Sequence, residues 1–349
     1  MKQINTGIIG YGMSTTVFHA PFLHINPNFR ISKIVERHDE KSKKDYPYVD
    51  VVRSADDVMT DKSIDLVVIT TPNEYHYSLA QQALLAGKHV ILEKPFTITS
   101  DEADDLMKTA RQKKLVLSVY QNRRLDGDFL TIRKIIDEGF LGKLVEYESH
   151  FDRFRNYFKQ NWREKDVPGS GILYDLGPHL IDQALQLFGS PESITADIRT
   201  QRAGGVSDDQ FELLLHYKYL KITLKAGMLV REPTPRFQLY GTKGTFIKYG
   251  LDPQEGDSKN GISPLNPKWG VDDPDHWGTL NTDINDLHFK GKVETLRGCY
   301  EKFYENIYDV IVNNEELLVK PEEARDVIKI IELAFKSDNE KRTIPFESY

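Results

Sequence analysis

The sequence predicts an α/β protein in two parts: a doubly wound parallel sheet, then an α+β region with an antiparallel sheet. Three observations carry this. Short apolar runs alternate with helical stretches up to about residue 122. The first of those runs enters a Gly10-Tyr11-Gly12 turn. Beyond residue 122 the segments alternate apolar and polar with short connections, which implies an antiparallel sheet with one face covered. With 349 residues, at about 100–200 per domain, two domains are expected, 1–122 and 123–349.

Composition narrows the class. Hydrophobic residues make up 39% and charged residues 28%, which excludes collagen-like and disordered chains and supplies enough apolar mass for sizeable cores. No apolar run reaches the roughly 18 residues of a membrane span. Met1 leads almost directly into a strand-like segment, leaving no room for a secretory signal, and the single cysteine, Cys299, suits a reducing compartment. A cytoplasmic location without membrane contact is therefore expected. One cysteine also makes a structural zinc cluster unlikely, and no metal is expected. The net charge of −7 argues against a nucleic-acid partner.

Ile4 to Gly12 reads as the first buried strand, running into glycines at 7, 10 and 12. In a G-x-G-x-x-G fingerprint the first glycine makes the tight turn. The second lets the backbone approach a pyrophosphate, met by amides at the next helix N-terminus. Tyr11 and Met13 share that turn. The third glycine position holds Thr15, so helix–strand packing there must be looser or different. Arg30–Val35 is the second strand and ends at Glu36-Arg37-His38. A Rossmann domain reads the cofactor ribose at this point. Glu36 suits a ribose 2′-hydroxyl and hence NAD. Arg37, with His38 or Lys41, suits a 2′-phosphate and hence NADP. Both are present, and either cofactor stays open; a solvated charge cluster is the plain alternative.

Ile64–Asn73 supplies the next strand and its loop, with Thr70, Thr71, Pro72 and Asn73 at the strand end. A helix over His76–Ala86 stops at Gly87. His89–Leu92 is a strand ending in Glu93-Lys94-Pro95, and Lys113–Tyr120 is the last of the parallel set. Ligands bind doubly wound sheets at the carboxyl ends of their strands. Gly10–Met13, Glu36, Thr70–Asn73, Glu93–Pro95 and Tyr120–Asn122, with Gln121 among them, therefore share one rim. A lysine pinned before a proline on that rim is poor packing material, so Lys94 stands out against the alternative of a surface lysine.

In the second part, Phe129–Glu138 reads as a helix and six segments read as strands: Leu144–Phe151, Glu192–Thr200, Phe211–Tyr217, Leu220–Val230, Arg236–Tyr240 and Thr245–Tyr249. Gly241-Thr242-Lys243-Gly244 reads as a hairpin turn. Residues 253–292, rich in Pro, Gly, Asp and Asn, read as a mostly irregular excursion. Helices return at Tyr300–Val312 and Pro321–Lys336. Within this part Pro168-Gly169-Ser170-Gly171 leads into a helical stretch carrying Asp175 and His179, four apart and on one face. A carboxylate beside an imidazole fixes its tautomer and raises its basicity, which suits a general base near neutral pH. Pro178 requires that the helix either kink there or start near Asp175. A helix cap and a core histidine are the plain alternatives.

Together these residues resemble the glucose–fructose oxidoreductase/inositol dehydrogenase/MocA (Gfo/Idh/MocA) family of NAD(P)-dependent oxidoreductases, over nearly the whole chain. The resemblance is carried by Gly10-Tyr11-Gly12, Thr71-Pro72-Asn73 with His76, Ala86–Val90, Glu93-Lys94-Pro95, and Asp175 with His179. Ser118–Arg124, Trp162-Arg163-Glu164 and Lys248–Pro253 are similar to the subgroup of bacterial NADP-dependent scyllo-inositol dehydrogenases, which has His where this chain has Gln121.

The resemblance implies an N-terminal Rossmann domain and a C-terminal domain whose large open antiparallel sheet serves dimer or tetramer contacts. It implies NADP or NAD as cofactor and a polyol or sugar as substrate. It places Lys94, Asp175 and His179 along the cleft between the domains, with His179 as acid/base, Asp175 as its orienting partner and Lys94 on the reacting oxygen. Arg123, Trp162 and Arg163 become candidates for polyol contacts, with exposed surface roles as the alternative. Rival readings are a reductase of a sugar ketone or aldehyde, a dihydrodiol or biliverdin-type reductase, a nucleotide-binding redox sensor without turnover, and a nucleic-acid-binding regulator. A sensor has no use for Lys94, Asp175 and His179 together, and a regulator would need a basic stripe or a reading helix.

Overall fold

The structure, a computed structural model, describes residues 3–159 and 161–347. Its contacts divide the chain into two compact units. The first holds the residues up to Asn122 together with Gln254–Trp269 and Cys299–Asp326; the second holds Arg123–Pro253, Gly270–Gly298 and the residues from Val327 onward. Two segments that a boundary at 122 leaves in the C-terminal part thus pack with the first unit.

The first unit is a six-stranded parallel sheet, built from β1 (Ile4–Ile9), β2 (Phe29–Val35), β3 (Asp50–Val52), β4 (Leu66–Ile69), β5 (His89–Leu92) and β6 (Leu117–Val119), in the order β3-β2-β1-β4-β5-β6. β4 and the Val90–Leu92 stretch of β5 are wholly buried, which is why they read as unbroken apolar runs. The strand order reverses between β1 and β4, the switch point where such sheets take their ligands. The helices between are α1 (Ala20–Ile25), α2 (Ser42–Asp45), α3 (Asp56–Met59), α4 (His76–Leu85) and α5 (Ser100–Lys113). α5 opens on a reciprocal cap between Thr99 and Glu102 and buries Ala103, Leu106, Met107 and Ala110 at helical spacing.

The second unit is organised on a nine-stranded sheet. Its strands are β7 (Leu144–His150), β8 (Ser193–Arg199), β9 (Gln210–His216), β10 (Lys221–Gly227), β11 (Phe237–Gly241), β12 (Gly244–Lys248), β13 (Gly278–Ile284), β14 (Leu287–Val293) and β15 (Ile344–Pro345). The order is β14-β13-β12-β11-β7-β10-β9-β8-β15. The sheet is mixed rather than purely antiparallel, because β7 and β10 run parallel at its centre. The predicted hairpin is present between β11 and β12.

Residues 253–292 correct the expectation of an irregular excursion. They contain α8 (Gln254–Lys259) and the β13–β14 hairpin. Asn285 and Asp286, both at positive φ, close that hairpin in the mirror-image turn that matches strand twist. α6 (Gly127–Asp137) and α7 (Gly171–Phe188) belong to the second unit. α9 (Glu301–Asn313) belongs to the first, and α10 (Pro321–Glu340) begins there. Among the described residues no helix is long and apolar enough to cross a membrane.

Candidate active site

The glycine turn after β1 is held at close quarters. Gly10 sits at φ +105°, and a Cβ there would meet Thr70 Oγ1 at 2.9 Å, so only glycine fits. Gly12 has nothing within 4 Å of where its Cβ would be, which leaves its exposed backbone open to a pyrophosphate. At the third fingerprint position the packing is different rather than looser. Thr15 is fully buried, and its hydroxyl donates to the Gly10 carbonyl (2.8 Å) and meets Thr70 Oγ1 (2.8 Å). Thr15 opens a wide π-type turn, Thr15–His19, that leads into α1. Beside the turn, Tyr11 donates to Asp45 (2.7 Å); burial and that carboxylate push its phenol well above the ordinary range. Met13 is exposed.

At the end of β2, Glu36 is buried and engaged. Its carboxylate accepts from the amides of Lys41 and Ser42 (2.9 Å each) and from Ser42 Oγ (2.5 Å) at the start of α2. Arg53, which carries no signal in the sequence, pins the same loop by donating to the carbonyls of Glu36 (2.9 Å) and Asp39 (2.5 Å). Arg37 and His38 are exposed. Asp39 and Glu40 are exposed beside them, paired with Lys41 (2.8 Å) and Arg53 (2.6 Å).

Further along the rim Asn73 is buried, while Thr71 and Pro72 are half-buried. His76 lies beneath this loop, fully buried, with Nδ1 2.8 Å from the Pro95 carbonyl and Nε2 3.0 Å from the Thr71 carbonyl. Burial lowers its imidazole pKa against the pull of those carbonyls. It ties the β4 loop to the Glu93-Lys94-Pro95 turn. Glu93 accepts from the Lys94 amide (3.0 Å) and faces His19 Nε2 (2.8 Å), while His19 Nδ1 meets Tyr304 Oη (2.6 Å). Burial pushes the Glu93 carboxyl up, but His19 and Lys94 outweigh it and leave it below its ordinary value. Lys94 itself is half-buried. Gln121 at the end of β6 is buried, and its Oε1 has no hydrogen-bond partner. A buried acceptor on the rim, an open Gly12 backbone and the exposed Arg37 and His38 after β2 together fit a nicotinamide dinucleotide.

In the second unit α7 starts at Gly171 and runs unbroken through Pro178 to Phe188. It thus begins before Asp175, which removes the alternative of a start near Asp175 and leaves Pro178 inside the helix. Gly171 has φ +88°, and a Cβ there would lie 1.8 Å from Asp208 Oδ1. Asp208 caps the helix by accepting from the amides of Leu173 (2.7 Å, side chain) and Ile172 (2.9 Å, backbone). Burial pushes the Asp208 carboxyl up to about 6. Asp175 and His179 lie one turn apart on this helix. His179 is 5% exposed and stacks on Phe151 at 6.2 Å between ring centres. Asp175 Oδ1 pairs with Arg163 Nε at 3.1 Å.

Arg163, between Trp162 and Glu164, lies over the Trp162 ring (4.6 Å), and Glu164 is anchored by Arg202 (3.1 Å), itself paired with Asp209 (2.9 Å). Arg123 is buried over Phe151 at 5.3 Å and pairs with Asp126 at 3.3 Å. Arg124 binds Asp182 on α7 through two hydrogen bonds of 2.8 and 2.6 Å. Sequence reasoning passed over Phe151, although it ends the Leu144–Phe151 segment, and over His19, Tyr304, Asp182 and Asp208. Among the described residues no three His, Cys, Asp or Glu side chains are grouped to hold a metal ion.

Residues 4–121 match the model of an oxidoreductase family's NAD-binding Rossmann fold, and residues 133–346 match that family's C-terminal alpha/beta domain. The scyllo-inositol 2-dehydrogenase (NADP(+)) IolW of Bacillus subtilis (strain 168) is 41% identical over 347 residues, 99% of this chain and 97% of that protein. The oxidoreductase YdgJ of Escherichia coli (strain K12) is 41% identical over 342 residues, 98% of each. Among solved structures, the Bacillus subtilis oxidoreductase YvaA superposes with a TM-score of 0.96 at 41% identity, covering 99% of each chain. A Bacteroides fragilis oxidoreductase gives 0.92 at 45%, covering 99% of this chain and 100% of that one. The dinucleotide rim on a parallel sheet, the Glu-Lys-Pro turn and the mixed nine-stranded sheet are thus those of a Gfo/Idh/MocA oxidoreductase, and the chain belongs to that family.

Proposed function

We propose that the protein is an NADP-dependent dehydrogenase of a secondary alcohol on an inositol-like polyol or related sugar. The observation that carries this is the Asp175–His179 pair on one face of α7, with His179 almost buried against Phe151. The similarity to IolW supports the substrate class. The loop after β2 supports NADP over NAD: Glu36 is spent on the amides of α2, while Arg37 and His38 stay exposed to meet a 2′-phosphate. Gly10, Tyr11, Gly12 and Met13 would line the pyrophosphate, with Thr70–Asn73, Glu93, Lys94 and Gln121 along the rest of the rim and His76 holding it from beneath.

When bound, the nicotinamide supplies the hydride acceptor. His179 takes the hydroxyl proton as the carbinol hydrogen departs as hydride. Asp175 orients the imidazole and favours its charged form. Lys94 donates to the same oxygen and stabilises the alkoxide charge that develops there. In the reductive direction His179 returns the proton. Arg123, buried over Phe151, and Trp162 flank this face as candidate polyol contacts.

The exposed apolar side chains Val145, Ile284, Leu287 and Phe289 on strands of the large sheet support a homodimer or homotetramer through it. A panel of inositols and sugars with NAD and NADP separately, followed by absorbance of the reduced nicotinamide, tests the function. Saturable turnover of an inositol with NADP is expected. Turnover with NAD alone would reverse the reading of Glu36, and no turnover on any polyol would remove the proposal.

A further inference from the structure

His19 is fully buried and plays no part in the scheme above. Its two ring nitrogens meet groups of opposite need. Nε2 lies 2.8 Å from Glu93 Oε1, a carboxylate oxygen that only accepts. Nδ1 lies 2.6 Å from Tyr304 Oη, a hydroxyl that can donate. One neutral tautomer satisfies both: Tyr304 donates to Nδ1, and Nε2–H donates to Glu93. The second oxygen of Glu93 accepts from the backbone amide of Lys94 (3.0 Å). The chain therefore runs Tyr304 to His19 to Glu93 to Lys94. It joins α9, the turn after the glycine loop and the end of β5, all within the first unit. The Tyr120 ring, centred 4.3 Å from that of His19, closes the site from the β6 side, and Phe303 packs on Tyr120 at 4.8 Å.

We infer that His19 and Tyr304 are positioning residues for Lys94, keeping Glu93 ionised and turned so that its charge and its Lys94 amide contact fix the ammonium that serves the reacting oxygen. This rests on the role given to Lys94 above. Packing alone does not call for a histidine with both nitrogens engaged in a buried pocket. A buried polar network of this kind specifies one arrangement only when each member is satisfied. Glu93 would otherwise be a carboxylate in an apolar site with one backbone donor, and burial would drive it toward the neutral acid. A neutral Glu93 would lose its attraction for the Lys94 ammonium.

The test compares His19→Leu, His19→Gln and Tyr304→Phe in the full chain. Each is read by kcat, by KM for the polyol and by the dissociation constant of NADPH from its fluorescence, and the wild type is also read by ¹⁵N NMR of the His19 ring at neutral pH. His19→Leu removes a hydrogen bond to a charged group, and kcat should fall about 10- to 100-fold while the NADPH dissociation constant stays within about threefold. His19→Gln keeps an N–H for Glu93 and should restore most of that loss. Tyr304→Phe should fall between the two. In the wild type, the NMR spectrum should show a neutral ring protonated on Nε2 alone.

Equal kcat in the Leu and Gln variants, or a loss expressed only in nucleotide affinity, would overturn the inference. If the Leu variant does not fold, Tyr304→Phe decides, and an unchanged kcat overturns it. If the wild type oxidises no polyol, the function reading falls separately and the ring spectrum decides: Nε2–H upholds the network, and Nδ1–H or a doubly protonated ring ends it.

Discussion

Two carboxylate–guanidinium pairs sit on α7, about two turns apart, and they are unlike. Asp182 binds Arg124 through two short hydrogen bonds, with both side chains 2% exposed. Asp175 binds Arg163 through one contact of 3.1 Å, with 23% and 35% of the side chains exposed. The first pair is buried and ties the helix to the segment after β6. The second is partly open to solvent. Breaking a buried pair leaves an uncompensated charge and typically costs about 3–5 kcal/mol, whereas an exposed pair contributes about 0–1 kcal/mol. One helix therefore carries one buried and one partly exposed ion pair, and the same residue types alone do not tell them apart.

The largest effect that would sharpen this contrast lies between the two pairs. His179→Ala should lower kcat by about 10²–10⁴-fold while nucleotide affinity stays nearly the same, because a positioned general base contributes about that much. Nucleotide affinity that collapses with the rate per bound cofactor unchanged would remove His179 from the acid/base role. Next, Asp182→Ala should cost about 3–5 kcal/mol in urea unfolding, the penalty of stranding a buried guanidinium. A change under about 1 kcal/mol would show that Arg124 finds water or another acceptor, and the contrast would fail. The smallest stability effect belongs to Arg163→Ala, which should unfold within about 1 kcal/mol of the wild type while turnover drops by a smaller factor than in His179→Ala. A large stability loss there would make both pairs structural.

What the sequence showed and what it hid follow one physical line. Leu66–Ile69 was legible because a strand buried on both faces is apolar throughout. Asp50–Val52 was not, since one exposed and two half-buried residues at the sheet edge carry no such run. β14 was hidden because His288, Lys290 and Lys292 make it look like loop, and Asn285-Asp286 lacks the glycine of the commoner hairpin signal. That Asp175 and His179 share a helix was legible because helical spacing is local. Arg163, far from Asp175 in sequence, gave no sign that it would pair with it, and His19 and Tyr304 stand 285 positions apart. Glu36 was visible as an acid at the right place, but its engagement with the amides of Lys41 and Ser42 depends on how α2 folds back.

The return of Gln254–Trp269 and Cys299–Asp326 to the nucleotide-binding unit has a consequence for biosynthesis. Trp269 and Tyr300 pack edge-on against Phe22, at 5.6 and 6.1 Å between ring centres, and Tyr304 reaches His19. On the ribosome, the first strands and helices emerge long before these aromatics are translated, so the early half of the polypeptide carries an unsealed apolar surface while the later half is made. Expression of residues 1–122 by themselves would freeze that vulnerable stage, and holdase chaperones should engage the nascent protein there until the late aromatic residues arrive.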